Sequence, residues 1–219
     1  MNQDGKRLLV FGAHPDDPES GCGGLIANAV DAGWTVLCLY ATAYREDRTY
    51  FGLTEREVRS TEARAACVFL GAECRILNYE HEHIGTTHAD RKAVGEIVTE
   101  WKPDIMTAHW PVDTHPDHRA AGTLGLDAFL AYENCAFYYF EVYSGEQSMR
   151  FHPTHYVDIS GVLERKRNAV FCHESQYPPE IWKRHEVMHH FRGLEAGCES
   201  AEAYVRVDRG NSVSLPGIV

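Results

Sequence analysis

The sequence has no long apolar run, no paired-cysteine motif and no excess of positive charge. No stretch approaches the ~18 consecutive apolar residues of a membrane-spanning helix, and the N-terminal residues lack the apolar region and cleavage site of a secretory signal. Seven cysteines are scattered without Cys-x-x-Cys spacing, which argues against a disulfide framework and against a thiolate zinc site. We therefore expect a cytoplasmic protein without a membrane span.

The charge balance of the chain is acidic. Thirty-two Asp and Glu residues against 21 Lys and Arg residues give a formal net charge of −11, which repels the phosphate backbone of nucleic acids. We therefore expect no nucleic acid partner. Thirteen histidines are more than packing requires, so we expect some of them to bind metal or carry protons. Assembly into a homo-oligomer is left open by the sequence.

Short apolar runs alternate with helical segments as far as about residue 132. The runs at 7–13, 35–42, 74–78 and 104–109 lack strict apolar–polar alternation, which is typical of parallel strands covered on both faces. This order predicts βαβ units and an α/β, Rossmann-like, mostly parallel sheet with helices on both faces. We expect a single domain over residues 1–219, with its core at about 6–160 and C-terminal helices at about 161–219.

Two His-Pro-Asp motifs each follow a predicted strand. "AHPDD" begins where the first strand ends, and "HPDH" follows the fourth strand. Because ligands of open α/β sheets bind beyond the carboxyl ends of the strands, we expect both loops at one edge. There His14, Asp17 and His118 would supply two imidazoles and one carboxylate and leave a position open for water, as a catalytic zinc site requires. Asp16, beside Asp17, is well placed to act as a general base.

These motifs resemble those of the LmbE-like, or PIG-L-like, family of zinc-dependent de-N-acetylases, which act on N-acetylglucosamine conjugates. "AHPDDPE" is similar to the first family signature and "HPDH" to the second, while "VRSTEARAACVFLGA" is similar to an Arg-x-x-Glu-Ala helix of the family. "HESQY" and "FRGLEAG" resemble its C-terminal segments, so the resemblance extends to about Tyr204. It implies a hydrolase that removes an N-acetyl group from an amino-sugar conjugate by means of a metal-activated water.

The resemblance also implies roles for single residues. The matches to the metal ligands and to the general base are His14, Asp17, His118 and Asp16. His115 matches a protonated histidine that stabilises the developing oxyanion. Asp117 matches an aspartate that orients the neighbouring groups. Arg59 matches a substrate-binding arginine, although an arginine on a helix is most often a solvated charge. Glu19 is expected to support the ligand loop without touching the metal.

The ligand set indicates which metal is bound, and the residue at position 113 indicates which branch of the family the chain resembles. Zinc (Zn2+) is the expected metal, and a set of two histidines and one carboxylate with open positions also suits ferrous iron (Fe2+). Some mycothiol-pathway relatives carry a tyrosine two residues before the second signature. This chain has Asp113 there, so it resembles the bacillithiol-pathway branch more closely. A tyrosine donor would have to come from elsewhere, and the candidates are Tyr44, Tyr143 and Tyr177.

A third histidine motif, "HEVMH" at 185–189, has the HExxH spacing of a zinc peptidase. The metzincin extension needs a glycine and a histidine where this chain has Arg192 and Glu195. We therefore expect His185 and His189 on a solvated or substrate-facing helix face.

Two more functions are compatible with the His-Pro-Asp motifs: a related amidase acting on a thiol conjugate or another N-acyl amine, and a non-catalytic metal-dependent sugar-binding protein.

Overall fold

Strands and helices alternate along the chain as the sequence predicted. The computed structural model describes residues 5–45, 47–50, 52–132, 134–209 and 213–219. In chain order the elements are β1 (Arg7–Gly12), α1 (Asp17–Asp31), β2 (Thr35–Thr42), β3 (Thr49–Tyr50), β4 (Leu53–Thr54), α2 (Glu55–Leu70), β5 (Glu73–Tyr79), α3 (His88–Trp101), β6 (Ile105–His109), α4 (Pro116–Tyr132), β7 (Ala136–Phe140), β8 (His155–Asp158), α5 (Leu163–Phe171), α6 (Pro178–Ala196) and β9 (Ala201–Val207). No helix within these ranges is long and apolar enough to cross a membrane.

Seven of the strands form one sheet, in the order β5-β2-β1-β6-β7-β9-β8. The five strands from β5 to β7 run parallel, while β9 is antiparallel to both of its neighbours. The strands β3 and β4 pair separately as a short hairpin. The sheet therefore confirms the predicted mostly parallel α/β fold in a single domain.

Helices cover both faces of the sheet. Successive side chains of a strand point to opposite faces, so Leu8 and Val10 pack into the layer that contains α1, α2 and α5. Leu9 and Phe11 pack into the opposite layer with α3 and α4. All four side chains are fully buried, which explains why β1 reads as a continuous apolar run without alternation.

The C-terminal part of the chain differs from the prediction. The sequence was expected to form helices from about 161 onwards, a span that includes residues 210–212, which lie outside the described part. Helices α5 and α6 do form, but Ala201–Val207 is strand β9, inserted between β7 and β8. Small or apolar side chains at 201, 203, 205 and 207 alternate with larger or polar ones, and this period of two is the pattern of a strand.

Glu202 in β9 joins the sheet to two helices. Its carboxylate accepts hydrogen bonds from the backbone N–H groups of Gly24 (2.7 Å) and Leu25 (2.8 Å) in α1. It also accepts one from Lys166 Nζ in α5, at 2.6 Å. Both charged side chains are buried, so each depends on the other to offset its loss of hydration. The Glu202 carboxylate therefore ties α1 to the sheet through its backbone hydrogen bonds, and α5 through the ion pair.

Replacing Glu202 should therefore destabilise the fold strongly. Glu202→Ala leaves the Lys166 ammonium buried without a counter-charge, and we expect the free energy of unfolding to fall by about 3–5 kcal/mol. Urea denaturation followed by circular dichroism measures this change. The exposed Glu164 in α5 provides a control, since Glu164→Ala should change stability by about 0.5 kcal/mol or less. Equal effects of the two substitutions would contradict this account of Glu202.

Candidate metal centre

The parallel pairing of β1 with β6 brings the two His-Pro-Asp loops together. Phe11 of β1 lies opposite Ala108 of β6, so the loops that follow these strands leave the sheet side by side. One ligand atom from each of His14, Asp17 and His118 lies within 4.8 Å of the other two. All three residues are buried. The three predicted ligands are thus neighbours at the expected edge of the sheet.

His14 is held between two carboxylates. Its Nδ1 atom lies 3.3 Å from Asp17 Oδ2, and its Nε2 atom lies 2.9 Å from Asp117 Oδ2. A proton on Nε2 that is donated to Asp117 leaves the Nδ1 lone pair for a metal, which is how carboxylates commonly orient histidine ligands. Asp117 is itself fixed by the backbone N–H of Glu82, 2.7 Å away. Asp117 therefore orients the His14 ring.

His118 lies between Asp17 and Asp113. Its Nε2 atom is 3.4 Å from Asp17 Oδ1, and its Nδ1 atom is 3.3 Å from Asp113 Oδ1. Asp113 also accepts hydrogen bonds from the backbone N–H of His115 (2.8 Å) and from Ser148 Oγ (3.1 Å). Asp113, which stands where some relatives have a tyrosine, thus positions an imidazole in this chain.

The charges around these imidazoles favour a cation. Burial alone would lower the pKa of His118, but Asp17 and Asp113 outweigh burial and raise it to about 10. Burial alone would raise the pKa of Asp17, but His118 and His109 hold it well below its usual range. Two imidazoles and one carboxylate in a buried, negatively charged setting are a donor set that fits zinc or ferrous iron.

Asp16 lies beside these residues and is held by Arg59. Arg59 Nη2 donates to the backbone oxygen of Pro15 (2.6 Å) and lies 3.4 Å from Asp16 Oδ1. Burial raises the pKa of Asp16 to about 6, although the Arg59 charge opposes the shift. The Arg59 side chain is buried, so the interpretation of Arg59 as a solvated charge is wrong. Its contacts fix the loop that carries Asp16.

A cavity of about 150 Å³ opens at this cluster. His115 lines it, and its Nδ1 atom accepts a hydrogen bond from the backbone N–H of Asp117 at 3.1 Å. Burial and the neighbouring imidazoles of His14 and His118 lower the pKa of His115 to about 4. These surroundings favour a neutral ring that carries its proton on Nε2, whereas the family resemblance implied a protonated one. Among the three candidate tyrosines, Tyr143 lines the cavity.

The structure adds two histidines that the sequence did not assign to the site. His109 ends β6, and its Nε2 atom lies 3.1 Å from Asp17 Oδ2. His81 lies in the loop after β5 and stacks on His14, with ring centroids 4.7 Å apart. The place of His109 at the carboxyl end of a central strand is a signal that sequence reasoning could have used. His81 also follows a strand of the sheet, β5, but its approach to His14 depends on how the loop folds back.

Glu19 lies behind the ligand loop in the first turns of α1. Its Oε1 atom accepts a hydrogen bond from Tyr40 Oη at 2.5 Å, and its Oε2 atom lies 3.4 Å from His173 Nε2. Glu19 and His173 are both fully buried. These contacts link α1 to β2 and to the "HESQY" segment, and the expected support of the ligand loop by Glu19 stays a prediction.

The "HEVMH" histidines are not solvated, so that part of the prediction is wrong. His185 and His189 are buried because α6 packs this face against α5 and β9. The Nε2 atom of His189 lies 2.8 Å from the ammonium of Lys166, a charge that opposes cation binding. Glu186 accepts a hydrogen bond from Trp182 Nε1 (3.2 Å). Across the described ranges, the groups of three or more converging metal-ligand atoms are those around His14, and no third ligand converges on His185 and His189.

The chain belongs to the PIG-L family, because residues 9–129 match the family model described as GlcNAc-PI de-N-acetylase. It is 32% identical over 233 residues to diacetylchitobiose deacetylase from Thermococcus kodakarensis, in an alignment that covers 98% of this chain and 85% of that protein. The expected closeness to the bacillithiol-pathway branch stays a prediction.

Two of the solved structures that resemble this chain superimpose over most of its length. The N,N'-diacetylchitobiose deacetylase from Pyrococcus horikoshii, in complex with an inhibitor, superimposes with a TM-score of 0.80 at 24% identity and covers 94% of this chain and 85% of its own. The 4-carboxy-2-hydroxymuconate hydratase from Pseudomonas putida also gives a TM-score of 0.80, at 22% identity, with 96% of this chain and 99% of its own covered. These likenesses establish the fold alone, since one fold can carry different chemistries.

Removing the Asp117 carboxylate should weaken metal binding at His14. In Asp117→Ala the His14 ring loses the acceptor that fixes its orientation, and we expect zinc affinity to fall roughly 10–100-fold. Competition with a chromophoric chelator measures this affinity. Asp127, on the same helix and paired at 3.8 Å with Arg91, serves as the control, and Asp127→Ala should bind zinc as the wild type does. Unchanged affinity in Asp117→Ala would show that this contact does not orient a ligand.

Proposed function

We propose that this chain is a metal-dependent hydrolase, with zinc as its metal, that removes the N-acetyl group from an N-acetylglucosamine-type amino sugar. The proposal rests above all on the convergence of His14, Asp17 and His118 beside Asp16. Membership of the PIG-L family and the name of the Thermococcus relative support the acetylated amino sugar as substrate.

His14, Asp17 and His118 would hold the divalent ion, with Asp117 and Asp113 orienting the two imidazoles. When bound there, the ion would polarise the acetyl carbonyl and lower the pKa of water toward ~7. The buried carboxylate of Asp17 brings the negative charge that retains a cation in a largely dehydrated site. Ferrous iron suits the same residues and is the alternative metal.

Asp16 acts in this mechanism as a general base and then as a general acid. Its carboxylate accepts the proton of the attacking water and afterwards delivers that proton to the nitrogen of the leaving amine. A pKa raised to about 6 by burial suits both transfers, because a group that titrates near neutral pH can accept and release a proton. Arg59 holds the Pro15–Asp16 segment in place and so positions the base. Anchoring of the substrate by Arg59 stays a prediction.

His115 acts as a hydrogen-bond donor to the oxygen that becomes negative as water attacks the acetyl carbon. The backbone hydrogen bond to its Nδ1 places the proton of the neutral ring on Nε2, and a donor fixed before the reaction stabilises the developing charge without reorganisation. A neutral donor of this kind replaces the protonated imidazole implied by the family resemblance.

The volumes of the cavity and of the adjoining groove indicate how much of a substrate each can hold. A cavity of about 150 Å³ is smaller than the roughly 300–1,000 Å³ of a typical ligand pocket, so it suits the acetyl group and part of one sugar. A groove of about 790 Å³ adjoins it and shares Tyr143. The remainder of a larger conjugate would extend into this groove.

Substitution of the base tests the proposed mechanism. Asp16→Asn should retain the metal but release acetate from N,N'-diacetylchitobiose at a rate lower by roughly 10²–10⁴-fold, because the proton acceptor is lost. Acetate release and metal content are measured on the same samples. Asp31, at the other end of α1 and bound to Arg165, is the control, and Asp31→Asn should keep full activity.

A panel of substrates separates this function from the related amidase and from a sugar-binding protein. Acetate release from N-acetylglucosamine and its conjugates supports the proposal, whereas turnover of only an acylated thiol conjugate would indicate the related amidase. Sugar binding without any acetate release, in protein loaded with zinc, would indicate a non-catalytic sugar-binding protein and would contradict the proposal.

A further inference from the structure

A second group of potential metal ligands adjoins the first. One ligand atom from each of His14, His81, His115 and Asp117 lies within 4.8 Å of the others. His14 belongs to both groups, but the other three residues lie outside the set His14, Asp17 and His118. The proposed catalytic steps leave His81 without a role.

The two groups share His14, and their carboxylates contact different nitrogens of its ring. Nδ1 of His14 faces Asp17 at 3.3 Å, whereas Nε2 faces Asp117 at 2.9 Å. The ring of His81 stacks on that of His14 with centroids 4.7 Å apart, and His115 meets His14 edge-on at the same distance. His81 and His115 are themselves close, with centroids 5.1 Å apart. His81 therefore lies over the face of the His14 ring and His115 roughly perpendicular to it, while Asp117 contacts its Nε2 atom.

A buried nitrogen atom of His81 points to a ligand at this position. The His81 side chain is 10% exposed, and its Nδ1 atom lies 3.9 Å from Asp117 Oδ2. This nitrogen has no hydrogen-bond partner among the residues that the structure describes. Leaving a buried polar atom without a partner is unfavourable, and 3.9 Å is too long for a direct hydrogen bond. Imidazole and carboxylate together are ligands that zinc accepts.

We propose that His81, His115 and Asp117 form a second, weaker site for a divalent cation such as Zn2+, and that filling this site inhibits the enzyme. The binding part is independent of the function proposed above, whereas the inhibition rests on it. A cation here would take the Asp117 carboxylate from His14. Binding at His115 Nε2 would also move the ring proton to Nδ1, which would then have to release the backbone N–H of Asp117. The orientation of one ligand and the hydrogen-bond donor would both be lost.

The second site is expected to bind a cation more weakly than the first because the positively charged Arg45 lies beside His81. Its Nη2 atom lies 3.3 Å from His81 Nε2 and from Glu82 Oε1. For Nδ1 to bind a cation, the proton of the neutral ring must reside on Nε2, and Arg45 must then release the ring. The Arg45 side chain is 41% exposed, so it has room to move away. Its positive charge nevertheless opposes a second cation, so we expect the second site to fill only after the first.

Zinc titration of metal-free protein, by calorimetry and by elemental analysis, tests the proposal. We expect wild-type protein to bind one tight and one weaker equivalent. His81→Gln should keep the tight equivalent and bind the second at least about tenfold more weakly, a change of about 1.4 kcal/mol. His83, two residues away in the same loop and exposed, is the matched control, and His83→Gln should bind both equivalents.

A second variant moves the affinity in the opposite direction. Arg45→Gln removes the opposing charge and should tighten the second equivalent without changing the first. In acetate-release assays, the zinc concentration that halves the rate should rise about tenfold in His81→Gln and fall in Arg45→Gln. Visible absorption of the Co2+-substituted protein should change again when a second equivalent is added, and this signal does not depend on activity.

The outcomes separate the two proposals. A wild-type protein that binds a single equivalent, or a second equivalent that His81→Gln and Arg45→Gln leave unchanged, would overturn the second site. If the wild-type protein binds no tight equivalent of zinc, the proposed hydrolase itself loses its basis. A second equivalent that binds as proposed but leaves the rate of acetate release unchanged would overturn the inhibition.

Discussion

The candidate site depends on one constraint, the parallel pairing of β1 with β6. This pairing places the loop after Gly12 beside the loop after His109, although about a hundred residues separate them in sequence. Parallel strands buried on both faces must be covered by helices, and each of these loops leads directly into a helix. The residues that begin α1 and α4 therefore meet at one edge, and those residues are histidines and aspartates.

Because the loops before α1 and α4 lie side by side, several buried carboxylates and imidazoles are brought close together. The carboxylates of Asp17, Asp113 and Asp117 are all buried, and each lies within about 3.5 Å of an imidazole nitrogen. Buried carboxylates are unfavourable without a positive partner. Despite its burial, the pKa of His118 is raised by Asp17 and Asp113, so its imidazolium is one source of that charge. A divalent ion supplies it more completely, so the charge distribution itself favours metal binding.

Much of the fold and the central part of the site could be predicted from the sequence. Continuous apolar runs separated by helical segments indicated the parallel sheet, and the strand-end position of "AHPDD" and "HPDH" predicted which side chains would meet. Strand β9 was not predicted, although residues 201–207 have the period of two that is typical of a strand. The burial of His185 and His189 could not be foreseen, because it depends on where α6 packs. His81 was missed for a related reason, since loop conformation is set by contacts distant in sequence such as that of Glu82 N–H with Asp117.

The central claim is that His14, Asp17 and His118 hold one divalent metal ion. A crystal structure of zinc-loaded protein, with anomalous diffraction recorded at the zinc absorption edge, tests it most directly. The account predicts that the strongest anomalous peak lies between these three side chains, with zinc–nitrogen and zinc–oxygen distances of about 2.0–2.2 Å. A strongest peak at His185 and His189, or the absence of any peak at His14, would contradict it.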